Sequence, residues 1–260
     1  MALEALLWDV DGTLAETEEA HRAAFNRTFR EFGLSWEWSP AKYRELLTVT
    51  GGVERITHFA RSDRPGEAEA SGFAAMVVAL HKAKTAHYVA ALAAGEVPLR
   101  PGVERVLTQA REAGLRQAIA TTTNLANIEG LINRSRDAVR MDWFAVVGAG
   151  NVVPRKKPAP DIYQWTLTRL GLTANQCVAL EDSRNGLQSA LGAGVPVVIT
   201  YSSYTDDQTF AGALAVADSL GEPGAPAMLR SGDAMGKTCI DLELIRRWHA
   251  AATTGGNAHG

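Results

Sequence analysis

Two aspartates stand one residue apart, Asp9 and Asp11, directly behind the apolar run LEALLW and in front of Gly12. In an extended strand, residues two apart point the same way and lie about 6.6 Å apart. At an effective dielectric of about 20, two carboxylates at that distance repel by roughly 2.5 kcal/mol. A fold that keeps both needs a cation beside them. An Asp-Gly pair alone is equally well explained by an Asx-turn or a helix cap. Three more polar signals stand where an apolar run ends: Thr121 after RQAIA, Lys157 after WFAVV and its loop, and Glu181-Asp182 after CVAL. Each has an ordinary explanation, as a strand terminus, a solvated loop lysine, or a helix cap at Asp182 or Ser183. All four at one edge of one sheet are poorly explained as separate accidents.

Convergence requires strands that run the same way. The segments EALLWD, RQAIAT, WFAVVG, CVALED and VPVVIT alternate with helical patterns that end in glycine. Gly114 and Gly171 close two of these helices, where a left-handed residue is wanted. The alternation predicts an α/β fold with parallel strands joined by helical crossovers, and such sheets bind ligands at the carboxyl ends of their strands. After Asp11 no second strand is expected for roughly a hundred residues, so the stretch between reads as an all-helical insert. Its first helix, in ETEEAHRAAFNRTFREFG, places His21, Phe25, Thr28, Phe29 and Phe32 on one face. Ser39-Pro40 opens another helix as cap and first position, and a long alanine-rich helix is expected from about Gly66 to Ala94. Beyond Ser203, FAGALAVADSLG is expected as an extra edge strand and CIDLELIRRWHAA as a final amphipathic helix, with a frayed end.

The 260 residues suffice for one large domain, or one domain carrying a smaller inserted one. A composition 46% apolar and 21% charged excludes disorder and fibrous repeats. A net charge of -3 with no long basic block argues against nucleic acid. No run of about 18 apolar residues exists, so no membrane partner is expected. Glu4 and Asp9 leave no positive n-region for a signal peptide. A cytoplasmic protein is expected, with Cys177 and Cys239 reduced, as a monomer or weak oligomer.

The stretches DVDGT at 9–13, Thr121, KKPAPDIY at 156–163 and EDSRNG at 181–186 resemble the four motifs of the haloacid dehalogenase superfamily, across roughly residues 1–200. The resemblance implies a Rossmann-like core over 1–14 and 97–250 and a helical cap domain over 15–96; the terminal residues themselves, ending TTGGNAHG, lead to the expectation of a disordered tail over 251–260. It implies phosphoryl transfer, with Asp9 as the nucleophile that forms an aspartyl phosphate and Asp11 as the proton carrier. Thr121 and Lys157 would hold the phosphoryl oxygens. Mg2+ would bind the Asp9 side chain, the Asp11 backbone carbonyl and Asp182. Glu181, Ser183 and Asn185 would support these groups from behind.

Finer matches, ETEEAHRAAFN, LLTVTGGVERITHF, LHKAKTAHY and VVPRKKPAPDIY, resemble the CbbY branch, which is similar to β-phosphoglucomutase. That branch implies hydrolysis of xylulose 1,5-bisphosphate, an inhibitor of Rubisco in the Calvin cycle. By this resemblance Glu16 and His21 would face the sugar hydroxyls or Asp11, and Arg55 and Lys84 would meet the distal phosphate. Gly51 and Gly52 would allow close backbone approach at a helix N-terminus. Thr122, Asn124 and Arg155 are further substrate-binding candidates. His21 on an apolar face also suits an ordinary core histidine, and Arg55 and Lys84 also suit solvated charges. Rival readings are a phosphosugar mutase, a phosphatase of phosphoglycolate or another small phosphate, and a receiver-type signalling module, which also pairs acids with a threonine and a lysine.

Overall fold

A computed structural model describes residues 2–49, 51–134 and 139–255. The chain forms two compact units. One joins the segment up to Glu16 with everything from Val97 onward, and the other is Thr17–Glu96.

The first unit is built on a seven-stranded sheet: β1 (Ala5–Trp8), β2 (Arg116–Ala120), β3 (Val146–Gly148), β4 (Cys177–Glu181), β5 (Val197–Thr200), β6 (Ala215–Ala217) and β7 (Leu229–Ser231). Their spatial order is β3-β2-β1-β4-β5-β6-β7. Every pairing is parallel except β6 with β7. The strands β1, β4 and β5 are buried throughout, which is why they read as unbroken apolar runs rather than alternating ones. β7 differs: LRS is half-exposed or exposed along its length. The tail strand expected at the sheet edge is therefore β6, one place in, and β7 is the edge.

The described residues of the second unit form five helices: α1 (Thr17–Glu31), α2 (Pro40–Leu46), α3 (Gly52–Asp63), α4 (Pro65–Ala68) and α5 (Phe73–Ala93). Ser39 accepts a bond from Lys42 N and Pro40 follows it, so α2 begins as the sequence suggests. The alanine-rich helix expected from about Gly66 is instead two, because Gly72 adopts a left-handed conformation ahead of α5. Phe32 also departs from expectation. The chain leaves α1 at Glu31 and turns at Gly33, leaving Phe32 41% exposed while Phe25 and Phe29 are buried. These two rings pack with Trp36, Trp38, Tyr43 and Phe59, with Trp38 central, 4.6 Å from Phe25 and 4.9 Å from Phe29 between ring centroids.

The first unit also holds α6 (Val103–Glu112), α7 (Leu125–Arg134), α8 (Asp161–Leu170), α9 (Arg184–Gly192) and α10 (Leu242–Gly255); α6, α8 and α9 pack on the strands, and α10 packs on α6. One core gathers alternate strand residues, among them Ala5, Leu7, Ala118, Ala179, Val197 and Ile199, against Ile162 and Tyr163 of α8 and Leu187 and Ala190 of α9. α10 carries residues 251–255 in helix, so these do not belong to the disordered tail expected there. Residues 256–260 of that tail lie outside the described residues. Among the described residues no helix is long and apolar enough to cross a membrane.

Candidate active site

Strand register brings the acids level. Trp8 of β1 lies opposite Ile119 of β2 and Leu180 of β4, so the residues that follow, Asp9 and Glu181, emerge side by side. Asp9 N donates to Leu180 O at 3.0 Å, and Thr121 N donates to Gly148 O at 2.9 Å, which carries the ladders to the same rim. The loop between β3 and α8 returns Lys157 to this rim. Its Nζ lies 2.6 Å from Asp9 Oδ1 and 2.6 Å from Glu181 Oε1, and Tyr163 of α8 donates its hydroxyl to that same glutamate oxygen. Asp9, Glu181 and Asp182 each offer a carboxylate oxygen, all within 4.8 Å of one another and all buried.

Burial and mutual repulsion dominate the electrostatics. Glu181 is pushed up to about 7, first by burial and then by Asp9, against the pull of Lys157. Asp182 is raised well above the ordinary carboxylate range by burial, then by Asp9 and Glu181. For Lys157 burial alone would lower the pKa, but the two carboxylates it touches outweigh that and raise it. Three buried carboxylates thus face one buried ammonium, and Glu181 Oε2 accepts no hydrogen bond. Hard oxygen donors with surplus negative charge are the donor set that Mg2+ prefers, so these residues fit a divalent cation.

Two glycines make room for this cluster. A methyl group on Gly12 would overlap the Asp182 carboxylate, and one on Gly186 would overlap that of Glu181. Gly12 also has φ +83, which an L side chain rarely adopts. Gly12→Ala is therefore expected to cost about 1–3 kcal/mol of stability and to weaken divalent-cation binding by about 10–100-fold. Thermal melting and calorimetric titration with magnesium chloride check both.

The other candidates in this unit fall into two groups. Thr121 is buried at the β2 end and its hydroxyl accepts from Thr123 N at 3.3 Å; Asp11 is half-buried in the loop after β1. Glu16 Oε1 lies 3.0 Å from Arg100 Nε. Ser183 caps α9 by accepting from Gly186 N, and Asn124 Oδ1 accepts from Asn127 N at the start of α7, so both serve as caps. Thr122 and Asn185 are exposed. Arg155, 71% exposed, turns to Asp161 at 2.8 Å. None of these five shares a hydrogen bond described here with the acid cluster.

Within the helical unit, Lys84 is buried, donates to His21 Nδ1 at 2.8 Å and lies 4.6 Å above the Phe25 ring. His21 stacks on Tyr88 with centroids 3.8 Å apart, and burial followed by the charges of Lys84 and Arg55 keeps its pKa well below the usual value. The imidazole is therefore neutral, with Nδ1 as acceptor. Arg55 donates to Leu46 O, Val49 O and the Tyr43 hydroxyl. Gly52 opens α3 so close to His81 that a methyl there would overlap the imidazole. Gly51, with φ +98, precedes it as the cap residue. Sequence reasoning assigned no part to Tyr163, although it lies inside the quoted KKPAPDIY, nor to Arg100, for which only its place between Pro98 and Pro101 hinted at a special position.

The sequence model of the haloacid dehalogenase-like hydrolases matches residues 3–194. The plasmid CbbY protein of Cupriavidus necator is 44% identical over 95% of this chain and 97% of its own. CbbY of Rhodobacter capsulatus is 49% identical over 82% of this chain and 92% of its own. A crystal structure of a mutant CbbY from Rhodobacter sphaeroides in complex with xylulose-(1,5)bisphosphate is 45% identical, with a TM-score of 0.73 over 85% of this chain and 96% of that one. The chain therefore belongs to the haloacid dehalogenase-like hydrolases, and within them to the CbbY family, as an enzyme of the phosphatase type.

Proposed function

We propose that this enzyme is a magnesium-dependent sugar-phosphate phosphatase that works through an aspartyl phosphate on Asp9, with xylulose 1,5-bisphosphate as its substrate. The observation that carries the reading is the Asp9 carboxylate, bridged by Lys157 and gathered with two further buried acids at a strand end. The choice of substrate is supported by the 45% identical CbbY whose crystals hold xylulose-(1,5)bisphosphate.

In this reading an Asp9 oxygen attacks phosphorus, the bond from phosphorus to the sugar oxygen breaks, and that oxygen takes a proton from Asp11. Water then gives a proton to the Asp11 carboxylate and its oxygen to phosphorus, which frees inorganic phosphate and restores Asp9. Lys157 and Thr121 donate to the phosphoryl oxygens as charge builds there. Glu181, itself held by Tyr163, keeps the lysine in place. The side chains of Asp9 and Asp182 and the Asp11 carbonyl would hold magnesium, which when bound would supply Lewis-acid charge against the phosphate.

Residues 15–96 are assigned the part of a cap domain, with Lys84, Arg55 and the Gly51-Gly52 turn reading the second phosphate, and Glu16 and His21 facing the sugar hydroxyls or Asp11. A charged hydrogen bond is worth about 1.5–3 kcal/mol. Lys84→Ala or Arg55→Ala is thus expected to raise KM for a bisphosphate by about 10–100-fold, with kcat little changed, as steady-state phosphate release would report. A cytoplasmic setting suits two free thiols, one buried and inert with its pKa pushed up to about 12.

The test is a panel of sugar mono- and bisphosphates with magnesium, scored by phosphate release. Stoichiometric phosphate with a clear preference for the pentulose bisphosphate is expected. Isomerisation of glucose 1-phosphate with little free phosphate would turn the assignment to a mutase. Equal rates on simple monophosphates would remove the bisphosphate while leaving a general phosphatase.

A further inference from the structure

Arg100 is a buried cation whose polar contacts converge on the loop that carries Asp11. Its backbone N–H donates to Leu14 O at 2.8 Å, and its Nη1 donates to Gly12 O. The same nitrogen reaches Thr200 O at 2.7 Å, while Nη2 reaches Tyr201 O at 2.7 Å and Asp218 O at 2.6 Å. Nε completes the set on Glu16 Oε1 at 3.0 Å. The guanidinium therefore joins residues 12 and 16, one on each side of the loop's turn, to the carboxyl ends of β5 and β6. The loop also folds on itself through Gly12 N to Ala15 O at 2.8 Å and Leu14 N to Val10 O at 2.9 Å. Arg100 ties this knot to the ends of β5 and β6. Only a planar head with five fixed donors meets so many acceptors at once; an ammonium has three rotating donors on a single atom.

We infer that Arg100 is a positioning residue for proton transfer, holding the Asp11 loop in register with the leaving oxygen through the Gly12 carbonyl and the Glu16 carboxylate. The inference rests on Asp11 as the proton carrier, as set out above. A merely structural arginine would affect all substrates alike when changed. In the first step, transfer of phosphorus to Asp9, a residue that aims the acid affects only substrates whose leaving oxygen needs a proton, whereas the later attack of water on the aspartyl phosphate is common to all substrates. A sugar alkoxide needs one, and p-nitrophenolate leaves without it.

The experiment compares the first-turnover rate of leaving-group release, before water cleaves the aspartyl phosphate, for wild type, Arg100→Lys and Asp11→Asn on the sugar bisphosphate and on p-nitrophenyl phosphate. General acid catalysis is worth about 10²–10⁴-fold. Arg100→Lys is expected to lose about 10²-fold on the sugar phosphate and less than about 3-fold on the aryl phosphate, with Asp11→Asn showing the same pattern more strongly. Equal losses on both substrates in Arg100→Lys, or no loss on either, while Asp11→Asn still discriminates, would overturn the part given to Arg100 alone. Absence of discrimination in Asp11→Asn would overturn the proton role of Asp11, and the inference with it. Should Arg100→Lys not fold, amide exchange of the wild-type segment 9–16 decides. Protection as slow as that of β1 supports the clamp, and exchange at the rate of an open loop contradicts it.

Discussion

Asp9→Asn is expected to abolish phosphate release, by about 10⁴-fold or more, while the protein stays folded. An amide oxygen is a poor nucleophile toward phosphorus, and no other described carboxylate has the position of Asp9, one residue past β1 and level with Glu181. The change is isosteric, and Lys157 keeps Glu181 as a partner at 2.6 Å. It also removes a charge that raises both Glu181 and Asp182, so the repulsion stored in the cluster falls. The melting temperature at neutral pH is therefore expected to hold or rise. Measuring release and melting on one preparation separates chemistry from folding. Hydrolysis that survives the change would refute Asp9 as the nucleophile.

Lys157→Met carries the opposite signature, because it is expected to cost both activity and stability. The lysine is buried between two carboxylates. Breaking a buried pair from one side leaves the remaining charge uncompensated, at about 3–5 kcal/mol, and loss of a donor to the phosphoryl group adds about 10²–10³-fold in kcat. The stability loss depends on pH in a definite direction. Glu181 holds its proton up to about pH 7 in the folded protein, against 4.5 as its ordinary value. Between those values the folded form binds the extra proton, so the stability linked to this carboxyl is complete below 4.5 and lost as pH rises through 7. Lys157 is the strongest influence holding that value down, so removing it raises the value further. The variant's melting deficit should accordingly be larger at pH 8 than at pH 5. A deficit independent of pH would mean that packing, and not charge, is what the lysine contributes.

How far the sequence could be read follows from what each feature depends on. The sheet and its rim were legible because strands buried on both faces are apolar along most of their length, so that Asp9 and Thr121, just past β1 and β2, and Glu181, the last residue of β4, stand out as polar residues where apolar runs end. The edge strand β7 was not, since LRS has neither an apolar run nor alternation. Helical periodicity put His21 on the inner face of α1, but it fixes a face and names no neighbour. The ring proves to be both stacked on Tyr88 and bonded to Lys84, 63 positions away. The caps Ser183 and Asn124 show the converse case: residues beside a catalytic motif whose side chains serve the helix that follows. Arg100 and Tyr163 stayed hidden because their partners, from Gly12 to Asp218 and at Glu181, meet them only after the chain has folded. The close approach of Gly12 and Gly186 to the acids is likewise a tertiary fact, visible beforehand only as glycine beside carboxylate.

A covalent phosphoryl group on Asp9 is the centre of the account, and rapid-quench labelling tests it most directly. The enzyme is mixed with substrate labelled in the transferable phosphate, stopped in acid within the first turnover, digested and mapped. Label is expected on the peptide that contains Asp9, stable to acid and released by hydroxylamine as an acyl phosphate is. Label on any other residue, or phosphate appearing with no protein-bound label at any time in the turnover, would contradict it.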